Sequence, residues 1–400
     1  MSVADPQELL EQYCGPGAET RLIEAPGRVN LIGEHIDYHG LAVLPIAMQR
    51  RVRVAFRARN DGLIRAVSGD GYGTREFEWT PDLEPGAAGD WENYLKAAAR
   101  AVGRGWGLGC GVDAALVSDV PPAAGLSSSS AILVAFTLGL LWANRREVSF
   151  EELMEVLPEG EQFVGTRGGG MDHAACLASR QGCASLIEFA PLSVRAVPIP
   201  GDWGFLVAHS LTTAEKSGAA REEFNARRTG GNLALARLGF ASYREAIGGR
   251  SIGELTGMAS AGLSSQIERD AFLHTTGEAL RVRAAVTAME RGQAEEFGRL
   301  LWESHASARD LLKISCAALD RLVDAAMEAG ALGARLTGAG FGGCAIVFCR
   351  KSELARVRDG LLARYYAGRP DFIPQKHLIE TEPGAGALAP GLLPRPPSVD

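Results

Sequence analysis

The chain has 400 residues, a formal net charge of -7 and 46% hydrophobic residues, a length that suits two domains. The mildly acidic balance speaks against a nucleic-acid surface, which needs a basic face, and no apolar run reaches the roughly 18 residues of a membrane span. The N-terminal "MSVADPQELLEQYCGPGAET" lacks the basic and apolar regions of a signal peptide, and seven cysteines without CxxC or paired spacing fit reduced thiols in a cytoplasmic protein.

In chain order, "DPQELLEQYCG" reads as a short helix closed by Gly15. "TRLIEAPGRVNLIG" has strand character, punctuated by Pro26-Gly27. "AVLPIAMQRRVRVAFRARN" predicts one or two strands, because "RVRVAFRA" alternates polar and apolar residues. "IRAVSGDGYGTREFEW" predicts a hairpin around its Gly-rich turn. "DWENYLKAAARAVGRG" predicts a helix capped by Asp90 and ended by Gly103 to Gly105. "CGVDAALVSDVP" is a strand leading into "PAAGLSSSS" and then a long apolar helix, "AILVAFTLGLLWANRR"; "SFEELMEVLPEGEQFVG" is helical again. "CASLIEFAPLSVRAVPIPGDWGFLVAHS" reads as two strands with a Pro/Gly break near Pro198 to Asp202, where the domain boundary is placed. A helix-rich stretch follows from Ala214 to Ala326, with helical periodicity throughout "ALRVRAAVTAMERGQAEEFGRLLWESHASARDLL". "GARLTGAGFGGCAIVFC" is strand, Gly-rich turn, strand, and "SELARVRDGLLARYYAG" a helix. The Pro/Gly-rich end, residues 389–400, is expected to be disordered.

Five stretches have the residue types for chemistry. In "PPAAGLSSSSAILVAF" a glycine and four serines stand directly before an apolar helix. The helix N-terminus offers unpaired N–H groups and partial positive charge, a site for phosphate. A serine hydroxyl there suits Mg2+, and with no Lys following this is not a GxxxxGK[ST] loop. A serine N-cap alone would explain one serine, not four. "LTGAGFGGCAIVF" is either a tight hairpin or a turn that brings backbone close to a ligand or another loop. In "GTRGGGMDHAACLAS", Asp172 follows three glycines at a helix start, as an N-cap or as a carboxylate in a cleft. In "DWENY", Trp91 and Tyr94 are a purine platform or core.

The fifth stretch is "GEHIDYHG", Gly33 to Gly40, a polar cluster between "RVNLI" and "LAVLPIAM". Glu34, His35 and Asp37 supply the donors and acceptors that a hydroxyl-rich ligand needs. His35, Asp37 and His39 at i, i+2, i+4 would also suit metal ligands on one strand face, although no fourth ligand has metal-like spacing. A structural polar network is the third reading.

"GRVNLIGEHIDYHGLAVLPIA" resembles the galactokinase signature. "PPAAGLSSSS" and "LTGAGFGGC" resemble the second and third motifs of the GHMP small-molecule kinases, which include galactokinase and the homoserine, mevalonate and phosphomevalonate kinases. The likeness runs from about Gln7 to Leu388 with the motifs in order. It implies an α+β, two-lobed fold: an N-terminal lobe, 1–200, like ribosomal protein S5 domain 2, and a ferredoxin-like α/β C-terminal lobe, 201–388. ATP and sugar would meet in the cleft between them, and the reaction would be ATP-dependent phosphorylation of a sugar's anomeric hydroxyl. The expected partners are therefore a small sugar and ATP with Mg2+, with no nucleic acid or membrane, in a monomer or weak homodimer.

The resemblance also implies roles. Arg28 matches the arginine beside the reacting oxygen, and Asp172 the catalytic aspartate, either a full base or an electrostatic anchor. Glu34, His35 and Asp37 match sugar-binding residues, and Gly169 a backbone contact. Gly125, Ser127, Ser128 and Ser129 match the phosphate loop, with Gly338 and Gly340 in the third motif and Trp91 at the adenine. Ser129 is the expected Mg2+ ligand, with Glu161, in preference to Glu159, as the second. Several residues depart from the usual pattern: Ile36, His39, the "GGGMD" run, the fourth serine, and Phe224 where a galactose-contacting tyrosine is usual. Except for His39, these look more like the N-acetylgalactosamine kinase branch, so that sugar and L-arabinose stand beside galactose. A non-catalytic sugar sensor is the alternative of another class, set against an intact serine loop.

Overall fold

The computed structural model describes residues 5–17, 19–122, 124–163, 169–213 and 219–388; the tail beyond lies outside them. The first helix, α1 (Pro6–Cys14), starts where the Asp5 carboxylate accepts the Gln7 N–H at 2.8 Å and stops at Gly15. Next come β1 (Arg21–Ile32), β2 (Leu44–Ala58), β3 (Leu63–Ser68) and β4 (Gly73–Glu78), then α2 (Glu92–Trp106), β5 (Val112–Ser118), α3 (Ser128–Ala143), α4 (Phe150–Phe163) and α5 (Met171–Ala178). The strands form one mixed sheet in the order β1-β2-β5-β3-β4, antiparallel except for β3 beside β5. A separate β6 (Cys183–Phe189) and β7 (Leu192–Pro198) hairpin meets the chain just before β2 through a Val43–Ile187 bridge.

Helix α3 packs against β1, β2 and α2. It is apolar on every side, and all its residues from Ser130 to Ala143 except Ile132 are buried, as for a helix inside a core rather than on a surface. The opposite sheet face is covered by α1 through Leu10, Ala55 and Ala115. Period-two alternation along β2 and β5 thus serves two apolar layers.

The remaining elements are β8 (Trp203–His209), α6 (Ala219–Arg237), α7 (Tyr243–Ile247), α8 (Ile252–Gly262), α9 (Gln266–Glu290), α10 (Ala294–Ser307), α11 (Ala317–Glu328), β9 (Gly333–Thr337), β10 (Cys344–Arg350), α12 (Leu354–Leu361), α13 (Pro374–His377) and β11 (Leu378–Thr381). A second sheet, β11-β8-β10-β9, is antiparallel throughout. One face carries Trp203, Phe205 and Phe348 against Phe297 of α10, with ring centroids 4.8 to 5.3 Å apart. The other packs Leu206, Ala208 and Val347 among residues of α11 and α12, such as Leu322 and Val357. The two sheets share no strand. No helix among the described residues is long and apolar enough to cross a membrane.

Four local expectations change. The "CASLIEF…" stretch holds three strands, because Ala190-Pro191 makes a tight turn between β6 and β7 that reads as strand by composition. Helix α2 runs through Gly103 and Gly105 to Trp106 and ends at Gly107, where φ is +80°. Asp90 does accept the Glu92 N–H, at 2.9 Å. The helical run after Ala279 breaks at Arg291–Gln293 into α9 and α10. The last "SELARVRDGLLARYYAG" helix passes into a wider turn at Leu362–Tyr366.

Candidate active site

The site forms where β1, the N-termini of α3 and α5, and the β9–β10 turn meet. β1 slips register between Pro26 and Arg28, and the Arg28 N–H donates to the Leu126 carbonyl at 3.1 Å. Buried Arg28 then donates through Nη1 to Gly125 O at 2.7 Å and through Nε to Asp172 Oδ1 at 2.7 Å, with its Nη2 2.6 Å from the same oxygen. The Ser127 hydroxyl donates to Asp172 Oδ2. Asp172 lies in the first turn of α5, whose N-cap is Gly170, so it is not the cap. Burial pushes its carboxyl up, but Arg28 and the Ser127 hydroxyl outweigh burial and hold it below the usual carboxylate range.

Ser127 occupies the N-cap position of α3 with φ +55°, yet its side chain caps nothing on the helix. Its hydroxyl is turned to Asp172 instead. The first-turn amides of α3 thus lack the side-chain acceptor that a capping serine supplies, while Ser128 and Ser129 remain half-buried beside them. This arrangement fits phosphate oxygens, and a Ser129 hydroxyl fits a hard cation. The Glu161 side chain lies outside the described residues. Among those described, no cluster of three His, Cys, Asp or Glu stands ready for a metal.

The β9–β10 turn is a hairpin, and it also makes a close approach to the phosphate loop. Gly338 has φ +85°, and a Cβ on it would lie 2.9 Å from the Gly125 carbonyl oxygen. One on Gly340 would meet the Ile314 carbonyl at 2.3 Å. Gly338 therefore seats the Gly125 loop and Gly340 seats the turn on Ile314, in each case backbone on backbone.

"GEHIDYHG" forms no strand but a turn followed by a short 3-10 segment, Asp37–His39, so the strand-face metal arrangement does not exist. Glu34 is buried: its Oε2 accepts from Arg335 Nη2 at 2.9 Å and from the Gly338 N–H at 3.2 Å. Arg335, itself fully buried, also donates to Asn30 O and Leu31 O, both at 3.1 Å. Burial raises the Glu34 carboxyl despite Arg335.

His35 has Nε2 3.2 Å from Ala339 O and Nδ1 3.0 Å from the Tyr38 hydroxyl. A carbonyl only accepts, so Nε2 bears the proton and Nδ1 accepts from Tyr38. Burial holds this ring neutral, with a pKa near 3. Asp37 is half-buried and accepts the Gly169 N–H at 3.1 Å. Gly169, expected at the sugar, thus spends its N–H on the signature turn. Asp37 has no ion pair among the described residues. Burial first, then the Asp172 charge, raise its pKa from 3.8 to about 6.

The remaining candidates scatter. Trp91 is buried, with Nε1 donating to Tyr72 O at 3.3 Å and Arg75 over its ring. The Phe224 side chain lies outside the described residues. Ile36 is in the core, and His39 packs on Tyr243 with ring centroids 4.7 Å apart, so the two unusual letters of the motif serve packing. Sequence reasoning passed over Arg335, His274 and Glu278. The signal was present: a charged residue in an apolar strand before a Gly-rich turn, and polar residues spaced i, i+4 on the buried side of α9.

Comparison with known proteins agrees with this geometry. The galactokinase galactose-binding signature matches residues 10–58, the GHMP kinases N terminal domain residues 93–180 and the GHMP kinases C terminal residues 285–367. The chain is similar to the galactokinase of Roseiflexus sp., 34% identical over 351 residues, covering 86% of this chain and 87% of that one. It is similar to that of Chloroflexus aurantiacus, 36% identical over 345 residues, covering 84% and 85%. In structure it is similar to Lactococcus lactis galactokinase complexed with galactose, with a TM-score of 0.85, 26% identity, and 95% and 97% of the two chains covered.

Proposed function

We propose that this chain, which belongs to the galactokinase family of GHMP small-molecule kinases, moves the γ-phosphoryl group of ATP onto the anomeric hydroxyl of galactose. The observation that carries the reading is the Arg28–Asp172–Ser127 cluster at the uncapped N-terminus of α3. Phosphate oxygens bound by the α3 amides bring the γ-phosphorus to the Asp172 carboxylate. The sugar's C1 hydroxyl donates to that carboxylate, which Arg28 and Ser127 hold in place.

A carboxylate held below its ordinary pKa is a weak base, so Asp172 first orients the hydroxyl. It takes the proton only as the C1 oxygen bonds to phosphorus and the bridging bond to the β-phosphate breaks, releasing ADP. Arg28 balances charge on the transferring group. Magnesium, bound with ATP, would neutralise phosphate charge; we assign it to Ser129 and Glu161. Asp37, with Glu34 and His35 behind it, faces the sugar hydroxyls. We take 1–200 and 201–388 as the two lobes, since no strand is shared. We place the protein in the cytoplasm, where its seven free thiols would stay reduced.

A coupled ADP-release assay over galactose, N-acetylgalactosamine, L-arabinose, glucose and glucuronate tests this reading. Galactose-dependent ADP is expected. Its absence over the whole panel, with ATP binding intact, refutes kinase function and leaves the sugar sensor. Asp172→Asn should keep nucleotide binding and lose about 10²- to 10⁴-fold in kcat; near wild-type turnover would remove Asp172 from the mechanism.

A further inference from the structure

We infer that His274 and Glu278 are positioning residues for the sugar-binding turn: one turn of α9 fixes the backbone of Gly33–His35 and so aims Asp37 at the substrate with Glu34 behind it. The inference rests on the proposed function, because it names what holds that site's recognition loop in shape.

Both side chains are fully buried, one turn apart on a helix far from the signature in sequence. Glu278 Oε1 accepts the Gly33 N–H at 2.9 Å, the Glu34 N–H at 3.3 Å and the Ser304 hydroxyl at 2.6 Å. Its Oε2 takes the Arg281 guanidinium at 2.8 Å. His274 Nε2 lies 3.0 Å from the Glu34 carbonyl, and Nδ1 lies 2.9 Å from the Ser307 hydroxyl. The carbonyl can only accept, so Nε2 carries the proton and Ser307 donates to Nδ1. Burial keeps this ring neutral, in the state that requires an orienting partner.

The turn needs such a clamp. Gly33 has φ +105° and His35 φ +60°, so left-handed residues bracket Glu34. A Cβ on Gly33 would lie 2.9 Å from Val43 Cα, which leaves the turn no room to relax. The polar backbone groups of Glu34 are buried with it, and α9 supplies their partners. The acid matters beyond its shape. An amide at 278 would have to turn its NH₂ group toward the Gly33 and Glu34 N–H groups or toward Arg281, and all of these are donors.

The test compares wild type with Glu278→Gln, His274→Leu, His274→Gln and Ser307→Ala, measuring KM for sugar and for ATP separately. Glu278→Gln and His274→Leu should raise the sugar KM by about tenfold or more and leave the ATP KM within about twofold. His274→Gln, which keeps a donor near the Nε2 position, should recover most of the loss. Equal rises in both KM values, or an unchanged sugar KM in a folded variant, would overturn the assignment. If Glu278→Gln does not fold, Ser307→Ala removes only the hydroxyl that orients His274; it should raise the sugar KM alone, and no change in that KM counts against the clamp. Hydrogen exchange at the Gly33 and Glu34 amides, read without sugar, should be faster in Glu278→Gln. Unchanged protection refutes the clamp even if wild type phosphorylates no sugar, an outcome that by itself would refute only the kinase reading.

Discussion

Replacing Asp37 with Asn should stabilise the folded protein at neutral pH while loosening its hold on sugar. In the folded state the Asp37 pKa rises from 3.8 to about 6, first from burial and then from the Asp172 charge. A shift of roughly two units corresponds to about 3 kcal/mol. The side chain is half-buried, so water screens part of this and about 1–2 kcal/mol is expected. An acid whose folded pKa is raised binds its proton more tightly in the folded state. Stability therefore falls as pH climbs from 3.8 to about 6 and stays low above it. Asn keeps an acceptor for the Gly169 N–H and carries no charge. Urea denaturation of both proteins at several pH values should show equal stability contributions well below pH 3.8 and a gap favouring Asp37→Asn that opens up to about pH 6. The same titration should weaken galactose binding by wild type about tenfold between roughly pH 7 and pH 5, with a flat profile for the variant. In Asp172→Asn the binding limb should move to lower pH, since a repelling charge is gone. If Asp37→Asn is no more stable at pH 7 and the gap between the proteins does not vary with pH, the argument from burial and Asp172 repulsion is wrong.

Arg335→Met should cost about 3–5 kcal/mol in denaturant stability, because the buried Glu34 carboxylate loses its cation. The double variant with Glu34→Gln should be less unstable than Arg335→Met alone; greater instability would show that the pair is not a unit. Gly338→Ala places a methyl against the Gly125 carbonyl at a left-handed φ, and should cost about 1–3 kcal/mol and raise the ATP KM. An unchanged ATP KM would mean that the turn does not seat the phosphate loop.

Local interactions made much of this protein legible from its sequence. The apolar body of α3, the glycine and serines at its N-terminus, and Asp172 at a helix start each follow from periodicity and helix-end chemistry. Their order along the chain was enough to indicate the family and to suggest the roles proposed for Arg28 and Asp172. What sequence reading missed came from long-range pairing. His274, Glu278 and Arg335 lie hundreds of residues from the turn they hold, and no local pattern links them to it. Whether Ser127 caps a helix or donates to Asp172, and whether Asp37 meets a cation among the described residues, depends on which side chains the fold brings within about 3 Å. Tertiary structure alone decides these contacts, because a buried polar group takes whichever partner the packed core leaves beside it.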